Sequence, residues 1–366
     1  MSETEDLINF YDRTASGGSK LALATVIKTD GPSYRSPGAR SIICEDGNFR
    51  GGLSAGCLEG DVACRLDGDN VPFLVEYDLS TEDDMRGFPF GCGGSVEIFV
   101  EPLPSEEAIG ALRWLSLLNE PAVMVTIVNN LTEKVELKKR TGSRFGVDLS
   151  QSNFYRTNAA TGFDQYSEAL SDAIVSTFAC KKSKLAYIEI DGITVRIFAE
   201  YFEPATTVYI YGDGEDARLL ETFANSVGMY VQRFSRNKIR VTSTLYSDYP
   251  AMKYAYNVIM THDLNLDTEV LKQVLQASPA YLGVMGPRSR TERMIASLPL
   301  DVRSGLNETN LYAPIGLDVG AETPNEIALS IVAEIQTVSK KCTAKHLRNM
   351  NGAIHSRNFG QSKVGS

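Results

Sequence analysis

Two stretches in the first third of the chain hold residues suited to chemistry. Residues 51–62, GGLSAGCLEGDV, set four glycines around Cys57 and Glu59, and residues 88–99, FPFGCGGSVEIF, set Cys92 between Gly91 and the pair Gly93 and Gly94. Glycine neighbours let a ligand come close to backbone amides and leave a thiol open. After Gly56, the spacing of Leu58, Val62 and Leu66 predicts a helix that begins at Cys57. The positive end of a helix favours thiolate over thiol, and a thiolate is both a nucleophile and a soft metal ligand. The competing reading of Cys57 is a packed core thiol, the commonest fate of a free cysteine. Upstream, residues 31–40, GPSYRSPGAR, gather Ser33, Tyr34, Arg35 and Arg40 among two prolines and two glycines. That is either a stiffened loop presenting donors to an anion or a plain surface turn.

A second group of candidates lies after residue 205. In YIYGDGEDA a strand runs into Gly212-x-Gly214-x-x-Ala217 and then a helix, the context of a dinucleotide-binding turn. The next strand, MYVQRFSR, carries Phe234 where a ribose-binding acid belongs, and Asp213 and Glu215 place negative charge beside the phosphate position. An NAD(P) site therefore competes with a glycine turn kept for helix–strand packing. YNVIMTHD ends in Thr261, His262 and Asp263, and YLGVMGPRSR supplies Gly283, Gly286 and Arg288. Carboxyl ends of parallel strands line ligand crevices, so His262 and Arg288 are expected on one crevice. His262 reads as a proton carrier or anion donor against a backbone-bonded imidazole, and Arg288 as a phosphate clamp against a solvated helix-start arginine.

These residues need elements to hold them. Residues 1–17 read as a helix, 21–30 as a strand, 41–52 as a hairpin, and 71–79 and 94–103 as two more strands, so both cysteines fall at element ends. A helix at 105–119 and apolar strands at 122–128 and 185–190 follow, with little legible chemistry; no internal repeat is visible. From 207 onward strand and helix alternate, which predicts a doubly wound parallel sheet. The fold class is α/β: an amino-terminal α+β domain (1–204), a Rossmann-like domain (205–345) and a tail (346–366).

With 43% hydrophobic and 22% charged residues the 366-residue chain is composed to bury a sizeable core. A net charge of −10 supplies no field for nucleic acid or anionic lipid, so small molecules and proteins are the expected partners. The acidic start MSETEDLINFYDR is unlike a signal peptide and no apolar run is long enough for a membrane helix, which predicts a cytoplasmic protein. Six scattered cysteines without a C-x-x-C pair argue against a zinc ribbon or disulfide scaffold.

Taken together, SYRSPGAR, GGLSAGCLEGDV and FGCGGSVEIFVEP resemble the amino-terminal module of the XdhC/CoxI family, the xanthine dehydrogenase accessory proteins. VYIYGDGEDA, VIMTHDLNLD, YLGVMGPRSR and LYAPIGLDVGAETPNEIALSIVAEI are similar to its Rossmann-type domain, and NGAIHS in the tail to longer members. The resemblance implies a chaperone, not a turnover enzyme. It would bind molybdenum cofactor (molybdopterin) as cargo, support exchange of an oxo for a sulfido ligand with a sulfur donor such as a cysteine desulfurase, and deliver the cofactor to an apo molybdenum hydroxylase. Carried over residue by residue, it points to Cys57 and Glu59, to Cys92, Gly93 and Gly94, and to Arg35, with both cysteines as molybdenum contacts. A homodimer is the assembly considered. Glu215 and Phe234 depart from the family pattern and count against a nucleotide in the second domain.

Overall fold

The computed structural model describes residues 2–350 except 32, 55, 67–69, 80–93, 129–140, 158–166, 191–192, 242–254, 278, 305 and 307–309. Two compact units emerge, one built on Glu3–Pro204 and the other on Ala205–Asn351.

In the first unit, helix α1 (Glu3–Thr14) precedes strand β1 (Leu21–Asp30), whose first seven residues are all buried. Such a run marks a strand covered on both faces. Strands β2 (Arg40–Cys44), β3 (Phe49–Gly51), β4 (Phe73–Asp78) and β5 (Ser95–Leu103) complete an antiparallel sheet in the order β3-β2-β1-β5-β4. Helix α2 (Cys57–Cys64) covers one face, packing Leu58 and Val62 on Ala24, Val26, Ile98 and Val100. Helix α3 (Glu106–Ser116) starts at Ser105, whose hydroxyl accepts the Ala108 amide, and leads to a second sheet. That sheet comprises β6 (Ala122–Ile127), β7 (Arg144–Asp148), β8 (Phe154–Arg156), β9 (Lys184–Ile190) and β10 (Ile193–Phe202), with helix α4 (Ser167–Cys180) between β8 and β9.

The second sheet runs β8-β7-β6-β10-β9, the same order as the first. Register agrees too: Thr25 faces Arg40 and Phe99, while Thr126 faces Arg144 and Phe198. The expectation of no internal repeat is thus corrected: residues 21–103 and 122–202 are two copies of one strand–helix module. A sheet needs only alternation of side chains between its faces, not particular residues, so the copies share just two short motifs, Gly38-x-Arg40 against Gly142-x-Arg144 and Val96-x-Ile98-Phe99-x-Glu101 against Val195-x-Ile197-Phe198-x-Glu200. The sheets meet face to face through Ile27, Phe99 and Leu74 on one side and Val128, Phe198 and Leu185 on the other. Around this patch Arg40 pairs with Glu200, Arg144 with Glu101, and Arg196 binds both Glu97 oxygens at 2.5 and 2.6 Å.

The second unit contains β11 (Thr207–Tyr211), α5 (Glu215–Ser226), β12 (Tyr230–Phe234), α6 (Arg236–Val241), β13 (Tyr256–Ile259), α7 (Leu264–Gln276), β14 (Tyr281–Val284), α8 (Arg288–Ser297), α9 (Leu300–Ser304), β15 (Leu311–Tyr312) and α10 (Pro324–Ser339). Its sheet is parallel throughout, ordered β12-β11-β13-β14-β15. This is a Rossmann-like doubly wound sheet whose order reverses between β11 and β13. Alternation along β11 sends Val208 and Ile210 toward α5 and α10, and Tyr209 and Tyr211 toward α7. Among the described residues no helix is long and apolar enough to cross a membrane.

Arg144 and Glu101 are nearly sealed from solvent, with 7% and 2% side-chain exposure. Removing one member of such a pair strands the other charge, so Arg144→Met should cost about 3–5 kcal/mol in urea unfolding. Arg50→Met, which breaks a surface pair with Asp6, should leave the midpoint unmoved.

Candidate functional site

Strand register in the first module brings several strand ends to one edge. Ser95 faces both Asp30 and Asp78, and Ser41 faces Gly51, so the ends of β1, β3 and β4 and the starts of β2 and β5 share one edge of the sheet. Gly91, Cys92 and Gly93 lie outside the described residues. The Leu79 amide donates to the Gly94 carbonyl at 2.6 Å.

Cys57 is the first residue of α2 and is exposed, so it is not a packed core cysteine. Gly56 before it has φ 112°, a left-handed conformation that glycine adopts without strain. Glu59 faces the other way. It is 1% exposed, and its carboxylate accepts the Leu53 amide at 2.7 Å, the Ser54 amide at 3.1 Å and the Ser54 hydroxyl at 2.7 Å. The Ser54 oxygen in turn accepts the amides of Gly56 and Leu58. Burial by itself would raise the Glu59 pKa, but the Ser54 hydroxyl and the Ser54 and Leu53 amides outweigh it and hold the carboxyl below its usual value. Glu59 therefore turns inward and fixes the loop that carries Cys57.

Arg35 lies against the same loop, since a Cβ at Gly52 would stand 3.8 Å from its Nη1. Its Nη2 donates to both oxygens of Glu3, at 2.7 and 3.0 Å. Ser33 donates its hydroxyl to the Arg35 carbonyl and so shapes the turn. Arg40 is committed to Glu200. What the edge offers is an exposed thiol at a helix start, beside a loop overlaid by a guanidinium. Among the described residues no group of three or more His, Cys, Asp or Glu is arranged to hold a metal.

In the second unit the glycine turn is present but its charge is wrong for a pyrophosphate. A Cβ at Gly212 would come within 2.6 Å of the Met260 carbonyl oxygen, so glycine is required there by close approach of the strand ends. Gly214 caps α5. Three acids crowd this helix start: Asp213 pairs with Arg236, Glu215 with Arg218, and Asp216 accepts the Ala217 amide. Burial opposes ionisation of Asp213, yet the Arg236 guanidinium and amide hold it below the usual carboxylate range; Glu215 is lowered by its hydrogen bond from Arg218. Phe234, at the position of the ribose acid, is fully buried and stacked on Tyr211.

His262 has φ 63°, unusual for a residue with a side chain, and its Nε2 lies 2.7 Å from Asp216 Oδ2. It lines a cavity of about 550 Å³ together with Gly286, Arg290, Ile315 and Asp318. Arg288 is exposed in the first turn of α8 and is not on the cavity wall, contrary to the expectation from sequence; Arg290 takes that place, held by buried Asp267 at 2.6 Å. Asp263 caps α7 by accepting the Asn265 and Leu266 amides. Sequence alone does not single out Arg290 or Asp267. RSR at 288–290 offers two arginines, and only the helix phase relative to Asp267 decides which one turns inward.

Residues 15–68 match the XdhC and CoxI family, and residues 208–335 match the XdhC Rossmann domain. Two separate regions of the chain are thus similar to domains of the XdhC and CoxI proteins. The match over 15–68 spans both the Arg35 loop and the Cys57 cradle. Among XdhC relatives, a Bacillus subtilis (strain 168) protein, named as a probable subunit of xanthine dehydrogenase, is 26% identical over 342 residues, 88% of this chain and 94% of its own. The Escherichia coli (strain K12) molybdenum cofactor insertion chaperone PaoD is 22% identical over 336 residues, 91% of this chain and 87% of its own. A crystal structure described as a xanthine dehydrogenase from Bacillus halodurans shares the XdhC fold with a TM-score of 0.65 at 23% identity, covering 94% of this chain and 97% of that one.

Two outcomes follow from these geometries. Glu59 contributes stability that is complete above the carboxyl's unfolded pKa and lost as pH falls through its lower folded value. Thermal melts should show Glu59→Gln less stable than the parent by ~1–3 kcal/mol at neutral pH, with the gap closing in acid. Titration calorimetry with NAD and NADP should show no micromolar binding, because acids occupy the phosphate position and Phe234 the ribose one.

Proposed function

We propose that this protein is a molybdenum cofactor-binding chaperone that supports sulfuration of the cofactor and its insertion into a xanthine dehydrogenase-type hydroxylase. The observation that carries the reading is the exposed Cys57 at the start of α2, on a loop held from inside by Glu59. A soft thiolate suits a high-valent metal–sulfur centre, and the donors of Arg35 and of the glycine-rich loop suit the phosphate of a pterin. The donor set at this edge fits that cargo. The names of the relatives support it: one is a molybdenum cofactor insertion chaperone, and another is named for xanthine dehydrogenase itself.

In this reading Cys57 and Cys92 contact the metal end of the cofactor, and Glu59 is a positioning residue. A sulfur donor such as a cysteine desulfurase and an apo molybdenum hydroxylase are the partners. The pairing of Asp213, Glu215 and Asp216 at the α5 start leaves an NAD(P)-dependent oxidoreductase without support.

Protein purified from cells that make molybdopterin should carry a pterin that fluoresces after oxidation. Cys57→Ala and Cys92→Ala should each lower the pterin content ~10-fold, the effect of losing about 1.4 kcal/mol of affinity. Cys57→Ala should leave the thermal midpoint unchanged, because the residue is exposed. Full pterin content in the double variant would remove both cysteines from the site.

A further inference from the structure

The two modules of the first unit are related by an approximate twofold operation that can be read residue by residue. The Gly38 and Gly142 amides donate to the Val26 and Ile127 carbonyls, both at 2.8 Å. Both glycines have positive φ, 100° and 89°. A Cβ on Gly38 would lie 3.2 Å from Glu200 Oε1, and one on Gly142 would lie 3.2 Å from Glu101 Oε1. Exchanging the modules therefore turns Arg40–Glu200 into Arg144–Glu101 and leaves the Ile27, Phe99, Leu74 patch matched to Val128, Phe198, Leu185. One step before Ile98 and Ile197 in the strands stand Glu97 and Arg196, which the operation exchanges with each other and which pair with each other. They sit on the axis.

This placement has an electrostatic consequence. Two first modules from separate chains could reproduce the off-axis ion pairs and the apolar contact, because each carries both Arg40 and Glu101 and the same apolar patch. They would, however, bring Glu97 against Glu97. Two second modules would bring Arg196 against Arg196. Like charges buried at a contact select against it, whereas the arginine–carboxylate fork rewards only the mixed pair. The members are 12% exposed each, so solvent does little to screen them.

We propose that the Glu97–Arg196 pair is the specificity element of a fused dimer: it commits each first module to a second module, and the surface it governs would otherwise fit a second copy of this chain. The inference does not depend on the proposed function. The cysteine cradle belongs to the first module alone, and the one cysteine of the second module, Cys180, ends helix α4.

The test uses full-length chains. Glu97→Arg and Arg196→Glu each place like charges on the axis in every pairing a single chain can make. Each should refold with poor soluble recovery and a thermal midpoint lower by ~5 °C or more. The doubly reversed chain should regain the parent's midpoint and mass. When tagged Glu97→Arg is refolded together with untagged Arg196→Glu, the first module of the tagged chain and the second module of the untagged chain again present opposite charges to each other. The tagged chain should then capture the untagged one, above the level for tagged and untagged parent refolded together. Single variants as stable as the parent, a doubly reversed chain no better than the singles, or capture at the parent's level would each overturn the proposal.

Discussion

A buried guanidinium needs an acid beside it to offset the loss of water, and in this protein that condition ties one half of the first unit to the other. Arg40 finds its acid 160 positions away at Glu200, and Arg144 reaches back 43 positions to Glu101. Neither sheet can present its arginine to the interior without the other sheet in place. The effect extends to the candidate site through short links. The Arg40 carbonyl accepts the Gly52 amide, Gly52 opens the loop held by Glu59, and the same loop delivers Cys57 to the start of α2. The second module, which carries no cysteine in its loops, thereby buttresses the edge that does.

The cradle itself shows how a buried carboxylate can shape a loop from inside. Glu59 collects one hydroxyl and two amide donors in an enclosed position, and the Ser54 oxygen passes the constraint on to Gly56 and Leu58. A loop of glycines and serines would lose much conformational entropy on adopting one shape. Here the charge–dipole bonds offset that loss and leave Cys57 free at the surface.

The Rossmann-like unit separates fold from function in the opposite way. It keeps the parallel sheet, the switch point and the glycine turn of a dinucleotide-binding domain, yet it lines the helix start with Asp213, Glu215 and Asp216 and fills the ribose position with Phe234. The glycine at 212 answers to the Met260 carbonyl rather than to a phosphate. Its cavity is organised by Asp216 on His262 and by Asp267 on Arg290, so acids orient the basic groups there.

Much of the chain was legible from local pattern. The β-rich run 21–30 is strand β1 from end to end, the four-residue spacing after Gly56 starts α2 at Cys57, and the strand–helix alternation after 207 is the doubly wound sheet. These features follow from periodicity and from glycine's access to conformations closed to other residues, both set by neighbours along the chain. What remained hidden involves partners brought together only by folding. Sequence could not say that Arg40 would be consumed by Glu200 while Arg35 stays at the loop, that Arg290 and not Arg288 would meet Asp267, or that Glu59 would turn inward. It also concealed the duplicated module, because a sheet preserves strand order and facing through alternation alone, while the loops that would betray the repeat diverged. Local geometry was written in the sequence; which buried charge finds which partner was decided by the packing of one sheet on the other.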